Sequence, residues 1–175
     1  MKSLLAVVPL SAALLSGACS QPVSPVSPSS ARSGVLSLDS ASLSSTAQSV
    51  PFKGSFEGTQ TLTPLEPPLG AVSGSGVGTG TLLGQFTVAF PHTVNFATRV
   101  GEGTFTFAAA NGDILTADFT GQVTQEGPPV SIVEHATITG GTGRFVAATG
   151  TFTVQRTFEP ATGATAGSFA GTISF

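Results

Sequence analysis

Hydrophobic and polar positions alternate with a period of two from residue 51 to the end of the chain. Each run places one set of apolar or glycine residues on a single face: Phe52, Gly54, Phe56 and Gly58; Phe86, Val88 and Phe90; Phe105 and Phe107; Gly167, Phe169, Gly171, Ile173 and Phe175. Such alternation predicts β-strands with one buried face, and no stretch of this region has a helical period.

Turn signals separate these runs. Asn111-Gly112 is typical of a tight hairpin turn. The prolines between Pro64 and Gly70, and the Gly127-Pro128-Pro129 sequence, predict two further loops. The glycine-rich run from Gly74 to Gly80 has no following Lys-Ser/Thr and no helix pattern, so it is interpreted as a flexible loop rather than a phosphate-binding loop.

About seven or eight strands in about 125 residues are typical of a β-sandwich or a β-barrel. The first and last runs both have strong patterns, and pairing them would close the sheet and remove both edges. Frequent glycines suit the tight curvature of a small barrel. We therefore predict an all-β fold, a single closed antiparallel barrel of about eight strands.

The N-terminal segment has the features of an export signal. Lys2 precedes an apolar run from Leu4 to Leu15, which is too short to span a bilayer, and small residues follow it. Residues 1–18 are predicted to be a lipoprotein-like signal peptide, with Cys19 as the lipidated residue. Ordinary cleavage after Ala18, giving a secreted or periplasmic protein, is the alternative.

Residues 19–50 are rich in Ser and Pro and almost free of charged and aromatic side chains. Such a segment buries too little apolar surface to fold, so it is predicted to be a disordered tether between the anchor and a β-barrel domain at 51–175. Cys19 is the only cysteine, which rules out an internal disulfide. The expected location is the cell envelope, at the outer membrane or cell surface.

Composition excludes several classes of partner. Only 9% of residues are charged and the formal net charge is −3, which argues against nucleic acid and against a polybasic membrane contact, so a lipid anchor is the one membrane contact expected. Trp and Tyr are absent, so Phe must supply any aromatic surface. His92 and His135 are far apart in the chain and no second cysteine exists, so we expect no metal site and no cofactor.

Two charged residues lie on apolar faces of runs that a glycine-rich turn connects. Glu134 shares a face with Ile132 and Ala136, and Arg156 shares a face with Val154 and Phe158. Paired inside the barrel, Glu134 would be an acid or base and Arg156 an anion anchor, and both are candidate catalytic residues. Alternatively, one or both lie at the rim, or this face meets an oligomer partner.

Asp118 and Arg99 are lesser candidates. Asp118 lies between Ala117 and Phe119 and follows the polar face of its run.

The sequence from Gly140 to Gly150 reads G-G-T-G-x-F-x-x-A-x-G, with Gly140, Gly141, Gly143, Phe145 and Gly150 as its defining positions. The motif resembles the signature turn and strand of dirigent proteins and of allene oxide cyclases. Together with Ala110-Asn111-Gly112-Asp113, it is similar to uncharacterised secreted bacterial proteins of that barrel type. The resemblance covers about 20 residues and implies an eight-stranded barrel and a homotrimer. Since no pocket residue of these families is matched, it implies a fold and a structural turn rather than a reaction.

Three functions remain open. The first is a non-catalytic binding or interaction domain of the cell envelope, with a small apolar ligand held in the barrel. The second is a cyclase or isomerase of the allene oxide cyclase or dirigent type. The third is an outer-membrane barrel, against which the absence of aromatic girdles argues.

Overall fold

The computed structural model describes residues 48–175. The predicted signal peptide, the lipidation site Cys19 and nearly all of the predicted tether lie outside the described residues. The first strand begins at Val50.

Nine β-strand segments and one short 3₁₀ turn make up the described chain. The strands are β1 (Val50–Pro64), β2 (Leu69–Gly80), β3 (Gly84–Ala89), β4 (His92–Asn95), β5 (Val100–Ala109), β6 (Ile114–Gln125), β7 (Val130–Gly141), β8 (Thr149–Glu159) and β9 (Ala164–Ser174). The 3₁₀ turn, Gly143–Phe145, lies between β7 and β8.

The strands close into an antiparallel barrel of eight strand positions. β3 and β4 both pair with β2 on one side and with β5 on the other, so they share one position in the barrel. β1 pairs with β9 as well as with β2, which leaves no free edge. The predicted fold class and the predicted pairing of the first and last strands are confirmed.

The barrel has two ends, because consecutive antiparallel strands run in opposite directions. The near end is where β1 begins, and it carries the turns at residues 81–83, 110–113 and 142–148. The far end is where β1 finishes, and it carries the turns at residues 65–68, 96–99, 126–129 and 160–163. The turns predicted at Asn111-Gly112, between Pro64 and Gly70, and at Gly127-Pro128-Pro129 are present.

The interpretation of residues 74–80 as a flexible loop is wrong. This run is the second half of β2 and pairs with both β1 and β3. Its glycines face inwards, where a Cβ at Gly74 would strike the ring of Phe90, and a Cβ at Gly78 would lie 2.6 Å from the ring of Phe86. The missing side chains make room for aromatic rings and also for the backbone of β1, because a Cβ at Gly76 or Gly78 would strike the carbonyl oxygen of Glu57 or Ser55. The sequence of a single strand reveals neither neighbour.

Phenylalanine rings fill the middle of the barrel. Ring centroids of neighbouring pairs lie between 4.3 Å (Phe105 and Phe119) and 6.3 Å (Phe52 and Phe107), which are contact distances for aromatic side chains. Ten of the 13 phenylalanines are buried: Phe52, Phe56, Phe86, Phe90, Phe105, Phe107, Phe119, Phe145, Phe152 and Phe169.

The glycine-rich motif forms the near-end connection from β7 to β8. Gly140, Gly143 and Gly150 have φ values of +120°, +55° and +144°, which L-amino acids with side chains rarely adopt. Gly141 has no room for a side chain, because a Cβ would collide with the carbonyl of Ile114. Phe145 is fully buried and closes the near end.

The outer wall is rich in small hydroxylated side chains. The exposed outward-facing threonines and serines on the strands include Ser55, Thr59, Ser73, Ser75, Thr79, Thr87, Thr120, Thr137, Thr139, Thr151, Thr157, Ser168 and Thr172. A lipid-facing wall would instead carry a continuous apolar band, so these residues do not favour the outer-membrane alternative. Among residues 48–175, no helix has the length and apolar character needed to cross a membrane.

Candidate functional site

Glu134 and Arg156 form a buried ion pair inside the barrel. Glu134 is on β7 and Arg156 on β8, and the pairing of Ile132 with Arg156 and of Glu134 with Val154 makes the two charged residues diagonal neighbours. Arg156 donates from Nε and from Nη2 to the same carboxylate oxygen, Glu134 Oε1, at 2.9 and 2.8 Å. Both side chains are only 1% exposed. The structure thus brings together the two candidate residues, at neither the rim nor the outer wall.

Two neutral side chains complete the surroundings of the guanidinium. Arg156 Nη1 donates to Gln60 Oε1 at 2.7 Å and, at 3.5 Å, to the hydroxyl of Thr165. The guanidinium carbon also lies 5.4 Å from the centroid of the Phe90 ring, close enough for a cation–π contact. These contacts hold Arg156 in one orientation.

The second carboxylate oxygen of Glu134, Oε2, is buried and has no hydrogen-bond partner among residues 48–175. The opposing residue on β6 is Gly121, where a Cβ would lie 2.8 Å from Glu134 Cγ. The absence of a side chain at this position gives the carboxylate its space. An orphaned buried oxygen costs about 1–3 kcal/mol, and more for a charged group, unless a water or a ligand donates to it.

His92 faces the same part of the interior from β4. Its Nδ1 lies 2.9 Å from the carbonyl oxygen of Phe90, which can only accept, so Nδ1 carries the hydrogen and neutral His92 has a bare Nε2. Burial lowers the pKa of His92 below its ordinary value of 6.5 and the charge of Arg156 lowers it further, against opposing effects of the Phe90 hydrogen bond and Glu134. Neutral His92 is therefore favoured, with Nε2 as an acceptor.

We call Gln60, His92, Glu134, Arg156 and Thr165 the polar layer. It lies between the phenylalanine-filled middle and the far end. On four strands that contribute to it, the next inward position towards the far end is apolar: Leu62 after Gln60, Val94 after His92, Ile132 beside Glu134, and Phe158 after Arg156.

These four apolar residues, the collar, are half-buried or exposed. Phe96 adjoins the collar, because its ring and the Leu62 side chain both lie within 3.0 Å of the position that a Cβ of Gly70 would take. The polar layer therefore lies beneath a partly exposed apolar ring at the far end.

The lesser candidates lie elsewhere. Asp118 is exposed on the outer face of β6, where it accepts a hydrogen bond of 2.8 Å from the hydroxyl of Thr104. Arg99 is in a far-end turn and forms a surface ion pair of 2.8 Å with Glu126. Neither residue joins the polar layer.

Sequence reasoning missed Gln60, His92 and Thr165. The signal for two of them was present, since Gln60 extends the series Phe52, Gly54, Phe56, Gly58, and His92 extends Phe86, Val88, Phe90. In the sequence, Pro91 marks an apparent end of the second series, although His92 continues it as the first residue of β4. Thr165 has no such signal, because threonine is equally common on the outer wall.

The outer wall has a separate open groove of about 1070 Å³ across β1, β2, β3, β5, β8 and β9. Small or uncharged side chains such as Ser55, Thr79, Ala108 and Ala166 line it, with Glu57 as its one charged residue. Val77, also in this groove, is 56% exposed.

Within the described part of the chain, no three His, Cys, Asp or Glu side chains are grouped closely enough to hold a metal ion. Comparison with protein-family models, with curated proteins and with solved structures finds no match to this chain.

Proposed function

We propose that the barrel is a non-catalytic binding domain of the cell envelope, which holds a small, mostly apolar ligand at the far end. The observation that supports this proposal is the orphaned Oε2 of Glu134, buried beneath a partly exposed apolar collar. The packed phenylalanines in the middle favour the far end over the barrel centre as the ligand's position. Export and anchoring through Cys19 are part of the proposal and are based on the sequence of residues 1–19.

Native mass spectrometry of the chain in the form its own host produces, purified gently, tests the proposal. We expect an additional mass of about a few hundred daltons per chain, typical of a small ligand, that is lost under denaturing conditions, whereas a lipid on Cys19 is covalent and remains. Glu134→Gln should lose this mass, because an amide N–H₂ group would replace one of the two carboxylate oxygens. Asp118→Asn is the matched control, since it makes the same acid-to-amide change on the outer face. A chain recovered with no added mass would contradict the proposal.

A second candidate is an isomerase or cyclase of the type that the Gly140–Gly150 motif resembles. The specific observation in its favour is that Glu134 Oε2 and neutral His92 Nε2 are both free to accept a proton in the same interior region. In a proton-transfer isomerase, a carboxylate removes a proton from one carbon of an apolar substrate, the double bond shifts, and the acid so formed returns a proton to another carbon.

The test of the second candidate is the chemical fate of the bound compound. Incubation of the host-derived compound with stoichiometric protein in D₂O should give a deuterated isomer if the site transfers protons, and Glu134→Gln should abolish that exchange. Recovery of the compound unchanged and without deuterium would reject the isomerase.

A further inference from the structure

We propose that the polar layer and the collar together recognise a neutral amphipathic molecule, a hydrocarbon with a hydroxyl head group that donates to Glu134 Oε2. This inference rests on the proposed binding function and names the class of ligand. The head group would lie in the polar layer, and the hydrocarbon would extend through the collar towards Leu62 and Phe96 at the far end.

The free atoms of the polar layer determine the head group. Glu134 Oε2 is a carboxylate oxygen and only accepts, and Nε2 of neutral His92 also only accepts. A ligand that satisfies either atom must therefore present an O–H or N–H donor. A ketone or an ether of the same size would bring a third acceptor to this position and leave the buried oxygen unsatisfied.

Charge balance determines that the ligand is neutral. The charges of Glu134 and Arg156 already compensate each other, with Arg156 Nη2 at 2.8 Å from Glu134 Oε1. Each of the two side chains is only 1% exposed. A carboxylate or ammonium head group would add an unpaired charge to a region that is largely removed from water, which is strongly unfavourable. An alcohol adds none.

The collar determines the hydrocarbon. Leu62 and Phe96 are 47% and 51% exposed, although both face the inner side of Gly70, at the mouth of the barrel. Val94, Ile132 and Phe158 are only half-buried. An alkyl chain lying against these side chains would remove apolar surface from water, at about 25 cal/mol for each Å².

Two isomeric probes separate the head group from the hydrocarbon: 1-octanol, which donates a hydrogen bond, and heptyl methyl ether, which does not. The readout is NMR of the two histidine rings in the full-length chain. His92 is in the polar layer, whereas His135 is on the outer face of β7 and contacts Thr153, so it is an internal control. We expect 1-octanol to shift the His92 signals and to bind roughly ten-fold more tightly than the ether.

Two variants test the contacts. Glu134→Gln should reduce the preference for the alcohol to about two-fold or less, because the amide nitrogen that replaces Oε2 donates hydrogen bonds and no longer accepts one from the alcohol. Leu62→Ser, at a half-exposed position where folding tolerates the change, should weaken 1-octanol binding roughly five-fold. Val146→Ser is its matched control, since Val146 is an exposed apolar residue at the near end, and it should leave binding unchanged.

The possible results separate the inference from the function on which it rests. Equal binding of the ether would overturn the hydroxyl head group while leaving a binding domain in place. Shifts of His135 alone would overturn the location. If neither probe binds up to its solubility limit, the orphaned oxygen takes only a water molecule and the inference is wrong, whereas the proposed function is decided separately by the mass of the chain from its host.

Discussion

At the residue scale, the main feature of this protein is one carboxylate whose two oxygens have different surroundings. Glu134 Oε1 accepts two hydrogen bonds from Arg156, whereas Oε2 has no partner among the described residues. Burying an ion pair costs desolvation that its attraction repays only in part, so such a pair is weak evidence for a role in stability. The unequal surroundings support recognition of a ligand instead.

The buried pair leads to a prediction on stability. Arg156→Met alone should destabilise the protein by about 3–5 kcal/mol, because it leaves Glu134 buried without its counter-charge, whereas the double change Glu134→Leu with Arg156→Met should cost much less. Urea unfolding midpoints measure both. Arg99→Met is the control, since the exposed Arg99–Glu126 pair contributes about 0–1 kcal/mol. A double variant as unstable as the single one would show that the pair itself stabilises the fold.

His92 gives a prediction on pH. Its pKa in the folded state is below the ordinary 6.5, chiefly because of burial, so below about pH 6.5 the unfolded chain binds a proton that the folded chain does not. Stability should therefore fall as pH decreases from 7.5 to 5, by a larger amount in the wild type than in His92→Gln, which has no titrating ring. Urea unfolding at the two pH values measures the difference. Equal slopes for the two proteins would contradict this prediction.

At the element scale, glycine has two different uses in the strands and turns. Gly84 has a φ of +66° and nothing within 4 Å of the position that a Cβ would take, so only its backbone conformation requires glycine. Gly150 has a φ of +144°, and a Cβ there would also collide with the carbonyl of Thr172 on β9. The glycine of the motif therefore also sets how closely β8 approaches β9.

This difference can be measured with two matched substitutions. Gly84→Ala should cost about 1–2 kcal/mol, the usual penalty for a side chain in the left-handed region. Gly150→Ala should cost at least about 3 kcal/mol, because it adds an overlap that only a backbone shift can relieve. Thermal or urea unfolding of the two variants gives the comparison. Equal losses would indicate that β8 and β9 can separate locally without cost.

At the scale of the whole molecule, closure gives the barrel two unlike ends and a wall of hydroxyl groups. Phe145 blocks the near end, while the collar leaves the far end partly apolar and exposed. The outer groove is a third surface, where Val77 is exposed among small side chains. The homotrimer implied by the resemblance stays a prediction, and this groove is the surface on which we would test it.

We expect Val77→Glu to lower the fraction of oligomer, because a charge beside Glu57 in the groove would be buried at a contact between copies. Sedimentation velocity of the full-length chain over a range of concentrations measures the association. Val146→Glu introduces the same charge at an exposed position outside the groove and should leave the association unchanged. A wild-type chain that remains monomeric at every concentration would reject the trimer.

Several elements could be predicted from the sequence because their cause is local. Alternation with a period of two reveals which face of β1, β3, β5 and β9 is apolar. The turn predicted at Asn111-Gly112 uses a positive φ that glycine allows, +87° at Gly112. The second half of β2 could not be predicted in this way. Gly74 is required by the ring of Phe90, and Gly76 and Gly78 by the closely approaching backbone of β1. The reason for these glycines therefore lies in partners outside β2.

The candidate site, too, was predictable only where its cause is local to one strand. The sequence by itself determined that Glu134 and Arg156 share apolar faces, because strand geometry alone assigns side chains to faces. Only the tertiary structure decided that these faces point inwards, that Gln60 and His92 join them, and that one oxygen of Glu134 remains without a partner. The physical reason is closure: which side of each strand becomes the interior, and which strands meet there, depends on pairing that runs around the entire barrel.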